Sequence, residues 1–378
     1  MPVDRILVTH VGSLPRPAPL ADLYLRRAKG EAIDEAALEA AGREALGWVV
    51  RKQLELGVDI PNNGEQQRDS FVLYLKNRLS GLGGTWNKTR VAERERYPEF
   101  VAMRLGREPQ RVSHQTNLPA ATGDVHYVDA DAARKEPRDL KAALAPYAGR
   151  YVDAFITAPS PGYLAEIIRN QHYDSHEAYL DALTEAVRTE YEAVVDEGFQ
   201  IQIDAPITPS PMPKDLIAYL EATIAAMNKA TRNIPRDRIR YHFCCGNYEG
   251  PHDNDLELKA IAPVLSQARV GAYVLAFANP RHAHEYRYVT PLVGGSDTKI
   301  VVGAIETTTN YIEHPEVVAD RIERVARVIG DPTRVIAGTD CGFSTSIGAS
   351  CVASDVAWAK IKSLAEGAQL ATERLCGS

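Results

Sequence analysis

The sequence predicts an α/β fold, a closed (β/α)8 barrel. Eight short apolar runs alternate along the chain with helical patterns, and this alternation indicates βαβ units and a parallel sheet. Eight such units in one chain favour a barrel, whose active site lies at the C-terminal ends of the strands. The runs are 6–9, 57–60, 151–156, 200–203, 240–241, 272–275, 299–303 and 335–337.

Each apolar run stops abruptly at polar, glycine or proline residues. Polar residues end any strand, but here the ends concentrate histidine, cysteine and carboxylate side chains. In chain order the ends are 10–13, 62–65, 157–160, Asp204, 242–246, 276–279, 306–307 and 340–341. Because parallel strands end at one face of a barrel, these residues form the predicted site.

The helical patterns include 35–56, 176–197, 215–229, 315–329 and 354–374. One segment interrupts the alternation: between the second and third strands, about 72–150 is too long for one helix and a loop. We expect a single barrel domain over 1–378, with an inserted subdomain or lid at about 72–150. The insertion would cover the barrel mouth or form a contact in a homo-oligomer.

Composition narrows the class of protein. The chain has 378 residues, 45% hydrophobic and 25% charged, and no apolar run of the roughly 18 residues that a membrane span needs. A net charge of −7 and the lack of a basic stripe argue against nucleic-acid binding. Five cysteines without a secretion signal indicate thiols and ligands in a cytoplasmic protein, with no disulfide framework.

The segment 241–246, Tyr-His-Phe-Cys-Cys-Gly, is the most informative motif. Residues i and i+2 of a strand share a face, about 6–7 Å apart at Cα, so His242 and Cys244 can chelate one ion. Cys341 follows a later apolar run and supplies a third ligand if the two strand ends meet. Three ligands with one open position are typical of catalytic zinc. From the residues alone, small buried cysteines and a hydrogen-bonded core histidine remain the alternative.

Five motifs in order resemble those of cobalamin-independent methionine synthases: 9–17 (THVGSLPRP), 63–68 (NGEQQR), 203–206 (IDAP), 242–244 (HFC) and 340–342 (DCG). The chain looks like the short single-barrel branch of that superfamily, which also includes epoxyalkane:coenzyme M transferases. The resemblance covers Thr9 to about Arg374. It implies a barrel of the methionine synthase and uroporphyrinogen decarboxylase type with Zn²⁺ at its mouth.

The resemblance also implies residue roles. Zinc ligands match His242, Cys244 and Cys341, while Ser13, Glu65 and Asp204 match residues that hold the amino and carboxylate groups of homocysteine. The chemistry agrees, since an ammonium group needs an anionic partner and a carboxylate needs hydrogen-bond donors. Without the resemblance, a solvated loop carboxylate and a strand-end hydrogen bond would explain Glu65 and Asp204.

Two positions depart from the family pattern. Ala276 stands where members usually carry a glutamate ligand, so water, substrate, Glu285 or Glu306 would fill the fourth zinc position. Thr307 stands where the methyl-transferring enzymes have a proton-donating histidine. Glu306 is therefore our candidate catalytic donor, with Tyr248 and Tyr311 as alternatives. From its length of 378 residues we expect no counterpart of the second barrel of full-length enzymes, which leaves the folate donor open.

The predicted function is zinc-dependent transfer of a methyl or other alkyl group from an alkyl donor to a homocysteine-like thiol, through a zinc-activated thiolate. The near alternative is epoxide opening by a coenzyme M-like thiol, whose sulfonate would need cations such as Arg16, Arg68 or Arg281. Two more distant candidates are a zinc-free decarboxylase of the uroporphyrinogen type and a zinc-free binding protein. Glu65 and Asp204 favour the amino-acid acceptor.

Overall fold

The computed structural model describes residues 5–88, 95–105, 117–208, 213–294 and 297–377. Its strands are β1 (Leu7–Val8), β2 (Leu82–Trp86), β3 (Leu118–Ala121), β4 (Phe155–Pro159), β5 (Arg169–Asn170), β6 (Gln200–Pro206), β7 (Ile239–Cys244), β8 (Ala272–Ala276), β9 (Lys299–Ile305) and β10 (Val335–Thr339). The helices in these ranges are α1 (Ala18–Ala28), α2 (Glu35–Glu55), α3 (Pro98–Leu105), α4 (Ala130–Leu144), α5 (Pro161–Ile167), α6 (His176–Asp196), α7 (Leu216–Ala230), α8 (Leu258–Leu265), α9 (Thr290–Val293), α10 (Pro315–Ile329) and α11 (Ser354–Cys376). Short 3₁₀ turns span Leu73–Asn77, Ala145–Tyr147, Arg236–Arg238, Glu285–Tyr288 and Pro332–Arg334.

A curled parallel sheet of seven strands forms the centre of the fold, in the order β1-β10-β9-β8-β7-β6-β4. Helices α2, α6, α7, α10 and α11 pack around it. The strands are buried on both faces, and for this reason they appear in the sequence as continuous apolar runs. The predicted α/β barrel fold is confirmed.

The second predicted strand, 57–60, is wrong as a regular strand. Residues there form turns, and pairing is limited to an isolated bridge between Asn62 and Phe155. The backbone still bonds to both open edges of the sheet: Ile60 N–H donates to Val8 C=O at 3.1 Å, and Phe155 N–H donates to Pro61 C=O at 3.1 Å. This irregular segment therefore occupies the gap between β1 and β4.

The barrel interior contains a separate apolar cluster below the site. Its buried members come from the inward positions of the strands and from the irregular segment: Leu7, Val11, Ile60, Phe155, Ala272, Val274, Val301 and Ile336. A filled interior leaves no room for a ligand inside the barrel, and the active site of such a barrel lies at the mouth. None of the helices in the described ranges has both the length and the apolar character required to cross a bilayer.

The region of the predicted insertion contains α3, α4, β2 and β3. Strand β2 pairs antiparallel with β3, and β3 pairs parallel with β5, forming a second sheet of three strands. Parts of the predicted insertion, 89–94 and 106–116, lie outside the described residues. A buried ion pair connects this region to the barrel. Arg68 donates to Glu136 at 2.8 Å, and both side chains are almost fully buried.

Candidate active site

The parallel register places the predicted residues side by side at the strand ends. On β6 and β7, Asp204 lies directly opposite His242, and Pro206 lies opposite Cys244. Cys341 follows β10, where the Thr339 hydroxyl donates to the Cys341 carbonyl at 2.7 Å. The ligand atoms of His242, Cys244 and Cys341 all lie within 4.8 Å of one another. These three residues form what we call the triad.

Asp204 determines which nitrogen of His242 faces the cysteines. The Nδ1 atom of His242 lies 3.1 Å from Asp204 Oδ1, which also accepts from the Gln202 amide at 2.9 Å. The remaining nitrogen, Nε2, is buried and has no hydrogen-bond partner among the described residues. A carboxylate behind an imidazole is the usual outer partner of a metal-bound histidine. The bare Nε2 beside two thiols is the donor set that Zn²⁺ prefers.

The triad is electrostatically coupled. Burial lowers the pKa of His242, but the Cys244 sulfur and the Asp204 carboxylate outweigh burial and raise the pKa to about 10. A hydrogen bond from Cys341 and the charge of His242 hold the pKa of Cys244 well below its ordinary value, against burial. The same hydrogen bond, with burial, raises the pKa of Cys341. The site thus favours a thiolate at Cys244, the protonation state that a metal ligand requires.

A cavity of about 140 Å³ opens beside the triad and is lined by all three predicted substrate-binding residues, Ser13, Glu65 and Asp204. Glu65 is buried, and its Oε1 accepts from the Thr157 hydroxyl at 2.8 Å, whereas Oε2 has no hydrogen-bond partner in the part of the chain that the structure describes. Burial, opposed by the charge of Arg68 and reinforced by Asp204, raises the pKa of Glu65 to about 7. A desolvated carboxylate with a spare oxygen suits a cationic ligand group.

Backbone geometry and close packing fix two of these side chains. Glu65 has φ of 55°, a left-handed conformation that non-glycine residues rarely adopt and that tends to mark functional sites. The Ser13 hydroxyl accepts the N–H of Ser344 at 3.3 Å, and a Cβ at Gly342 would collide with it. Glycine at position 342 therefore lets the loop after β10 approach Ser13.

Glu306 and Ala276 line a second cavity of about 30 Å³, which also contacts Cys244 and Cys341. The Glu306 carboxylate accepts from Thr308 N–H at 2.9 Å and from the Thr308 and Thr309 hydroxyls at 2.5 and 2.7 Å. Glu306, Cys244 and Cys341 thus line one small cavity, and Ser13, Glu65 and Asp204 line the larger one.

The other residues considered for the fourth zinc position and for the proton donor lie at various places around the site. Thr307 also lines the small cavity, and Tyr248 lines the large one. Tyr311 is 52% exposed. Glu285 accepts the N–H of Leu258 at 2.6 Å, away from the triad.

The arginines that a sulfonate would need are engaged with protein groups. Arg16 donates to the carbonyls of Ser344 and Glu65 at 2.8 and 2.7 Å. Arg68 donates to Glu136, and Arg281 donates to the carbonyl of His252 at 3.1 Å. A sulfonate in the large cavity would meet Glu65 and Asp204 instead.

Sequence reasoning missed Lys88, which lines the large cavity and donates to Glu166 at 3.0 Å. Thr157, which donates to Glu65, lies in the strand-end segment 157–160 that the sequence marked. Lys88 lies just after β2 in the predicted insertion, and no strand-end pattern marks it.

The sequence profile of the cobalamin-independent synthase catalytic domain matches residues 6–357. The chain belongs to this family. Among curated relatives of the synthase family, the methionine synthase of Saccharolobus solfataricus is 24% identical over 371 residues, covering 97% of this chain and 95% of the relative. That of Sulfolobus acidocaldarius is 25% identical over 339 residues, covering 89% and 85%.

Solved structures of the family share the fold. A B12-independent methionine synthase from Shewanella sp. W3-18-1, in complex with selenomethionine, has a TM-score of 0.74 at 20% identity, covering 98% of this chain and 99% of that chain. A putative vitamin-B12 independent methionine synthase from Listeria monocytogenes has a TM-score of 0.66 at 20% identity, covering 97% and 98%. The predicted resemblance to cobalamin-independent synthases is therefore confirmed.

Proposed function

We propose that this protein transfers a methyl group to the thiol of homocysteine, with Zn²⁺ held by His242, Cys244 and Cys341. The observation that carries the proposal is the bare His242 Nε2, which converges with two thiols beside a cavity bearing the unpaired Glu65 Oε2. Membership in the synthase family and the names of the relatives support methyl transfer. Zinc bound there would supply Lewis acidity, which favours the thiolate form of the acceptor at neutral pH.

The protein's own residues position the acceptor. The ammonium group lies between Glu65 and Asp204, and its charge satisfies the buried carboxylate oxygen that has no partner. The hydroxyl of Ser13 donates to the acceptor carboxylate. These contacts hold the sulfur near the triad, where it attacks the methyl carbon in line with the leaving group.

The reaction forms a sulfur–carbon bond and breaks the bond between the methyl carbon and its carrier, while the thiol proton is replaced by the methyl group. The thiol proton passes to solvent as the thiolate forms, and a carrier that leaves from nitrogen then needs a proton, whereas a sulfonium carrier leaves as a neutral thioether and needs none. Glu306 is the proposed donor because its carboxylate lines the small cavity next to the ligand cysteines. Its present contacts with Thr308 and Thr309 all make it an acceptor, so it must take up a proton before it can act.

The test combines purified zinc-loaded protein with homocysteine and methyl donors that carry the methyl group on nitrogen, cobalt or sulfur. Mass spectrometry of the methylated thiol is the readout. We expect methionine from at least one donor, and no methylation of 2-mercaptoethanesulfonate, whose charge is opposite to that which Glu65 and Asp204 attract. Cys244→Ala should lose the zinc of the triad and turnover, and Cys376→Ser, at an exposed position on α11, should keep both. Turnover by Cys244→Ala equal to wild type would exclude the proposal.

A further inference from the structure

A second cluster of metal-ligating side chains lies outside the triad. The ligand atoms of Cys245, Asp255 and His282 lie within 4.8 Å of one another. Cys245 directly follows Cys244, the last residue of β7, and it lines the small cavity while Cys244 lines both cavities. It meets Asp255 from the loop after β7 and His282 from the loop after β8.

The histidines of this cluster have an arrangement typical of metal ligands. His282 Nδ1 lies 2.8 Å from Glu285 Oε2, and its Nε2 lies 2.9 Å from Asp255 Oδ2. His252 Nε2 lies 2.9 Å from the Tyr248 carbonyl, and its Nδ1 lies 2.6 Å from the same Asp255 oxygen. Each ring therefore has an outer acceptor on one nitrogen, as is usual for metal-bound imidazoles, and directs the other nitrogen to the same Asp255 oxygen. His252 stands outside the three-residue group, so it joins the ion by moving with Asp255.

We propose that Cys245, Asp255 and His282 bind a second Zn²⁺, with His252 as the fourth ligand. One thiolate, one carboxylate and two imidazoles form a donor set suited to zinc, and four protein ligands are typical of a structural site. On binding, Cys245 gives its thiol proton to solvent, each ring nitrogen that now faces Asp255 also releases its proton to solvent, and each imidazole binds through that nitrogen. Glu285 and the Tyr248 carbonyl keep their contacts with the outer nitrogens.

Such an ion would crosslink the loops after β7 and β8, which shape the catalytic face. The loop after β7 carries Asn247 and Tyr248, which line the substrate cavity, and the ion would join it to the loop after β8. The cavity of about 30 Å³ is lined by residues of both clusters, so the two metal sites share a wall. The second zinc therefore stabilises the substrate pocket without contacting substrate.

The competing arrangement is a metal-free network in which both imidazoles are protonated. Two carboxylates, Asp255 and Glu285, then balance His252 and His282, and the hydrogen bonds seen here persist. The two arrangements differ in one measurable respect, the number of zinc ions per chain.

The experiment is zinc analysis of the full chain after saturation with zinc and exhaustive dialysis. We expect two zinc ions per chain in wild type, one in Cys245→Ser and one in His282→Ala. The exposed neighbour variant His284→Ala should keep both ions. Cys244→Ala should also retain one ion, which separates failure at the triad from failure at the second site.

Alkylation of Cys245 provides a second readout, mapped by mass spectrometry after iodoacetamide treatment. We expect zinc to protect Cys245 at least tenfold in rate, and chelation to remove the protection. An unchanged zinc content in Cys245→Ser, whether one ion or two, would overturn the proposal. Equal Cys245 alkylation with and without zinc would overturn it independently, even if a serine variant misfolds.

Discussion

Replacing Glu65 by glutamine should weaken acceptor binding and at the same time stabilise the empty protein at alkaline pH. The substitution keeps the shape of the side chain and removes its charge. Glu65 Oε1 accepts from Thr157, and Oε2 is buried with no hydrogen-bond partner within the described ranges. The empty site therefore holds a poorly solvated carboxylate, whose cost is recovered when an ammonium group binds.

The magnitude follows from the pKa of Glu65, which burial raises from 4.5 to about 7. Between these two pH values the native state binds more protons than the unfolded state, so stability falls as pH rises. The contribution of the neutral carboxyl is fully present below pH 4.5 and is lost as pH rises through 7. At 1.36 kcal/mol per pKa unit, the total is about 3 kcal/mol, of which roughly 2–3 kcal/mol falls between pH 5 and pH 8.

The assay is urea unfolding of wild type and Glu65→Gln at pH 5 and pH 8, with homocysteine titrations at pH 8. Wild type should lose about 2–3 kcal/mol more stability across this interval than the variant. The variant should bind homocysteine more weakly by roughly 1.5–3 kcal/mol, or about 10- to 150-fold, the range for a charge-assisted hydrogen bond. Glu44→Gln, at an exposed position on α2, is the control.

Parallel pH dependence of wild type and Glu65→Gln, together with equal homocysteine affinity, would refute the reasoning. It would mean that Glu65 is neither a desolvated anion nor a partner of the acceptor. If Glu65→Gln lowers the folding stability but leaves the homocysteine affinity unchanged, Glu65 has a structural role only.

Three further changes test other parts of the site. Asp204→Asn should weaken zinc binding about 10- to 100-fold in chelator competition, because it removes the carboxylate behind His242; equal affinity would contradict that role. Ala276→Glu should tighten zinc and alter turnover by adding an anionic ligand, and no change in either would show that residue 276 does not face the metal. Gly303→Ala should destabilise by several kcal/mol, roughly 2–4, because its Cβ would lie 2.7 Å from the Leu275 carbonyl oxygen. The exposed helical Gly47→Ala should instead stabilise by about 0.4–1 kcal/mol, and equal melting temperatures for the two alanine variants would refute the packing argument.

Patterns that are local in the chain predicted much of this fold and site. The runs at 200–203 and 240–241 alternate and end at Asp204 and His242, and the parallel register then forces these two residues together. The i, i+2 spacing placed His242 and Cys244 on one face for the same reason. Family resemblance, more than spacing, connected these residues to Cys341.

Other features depend on contacts that no local pattern records. The run 57–60 has strand-like composition, but its backbone bonds to β1 and β4 only at intervals, so it never becomes a regular strand. Lys88 belongs to the long segment between the second and third predicted strands, and it reaches the substrate cavity because of how that segment folds. The cluster of Cys245, Asp255 and His282 requires two loops to meet, and their spacing of 10 and 27 residues is no known ligand motif.

The central claim is that zinc at the triad receives the acceptor thiol. Zinc X-ray absorption on Cys245→Ser, with and without homocysteine, tests it most directly, because this variant leaves the triad as the remaining cluster among the described residues. We expect two sulfurs and one nitrogen from His242, Cys244 and Cys341, with one additional sulfur when homocysteine is added. A spectrum that does not change on addition of homocysteine, or a zinc-free protein, would contradict the account.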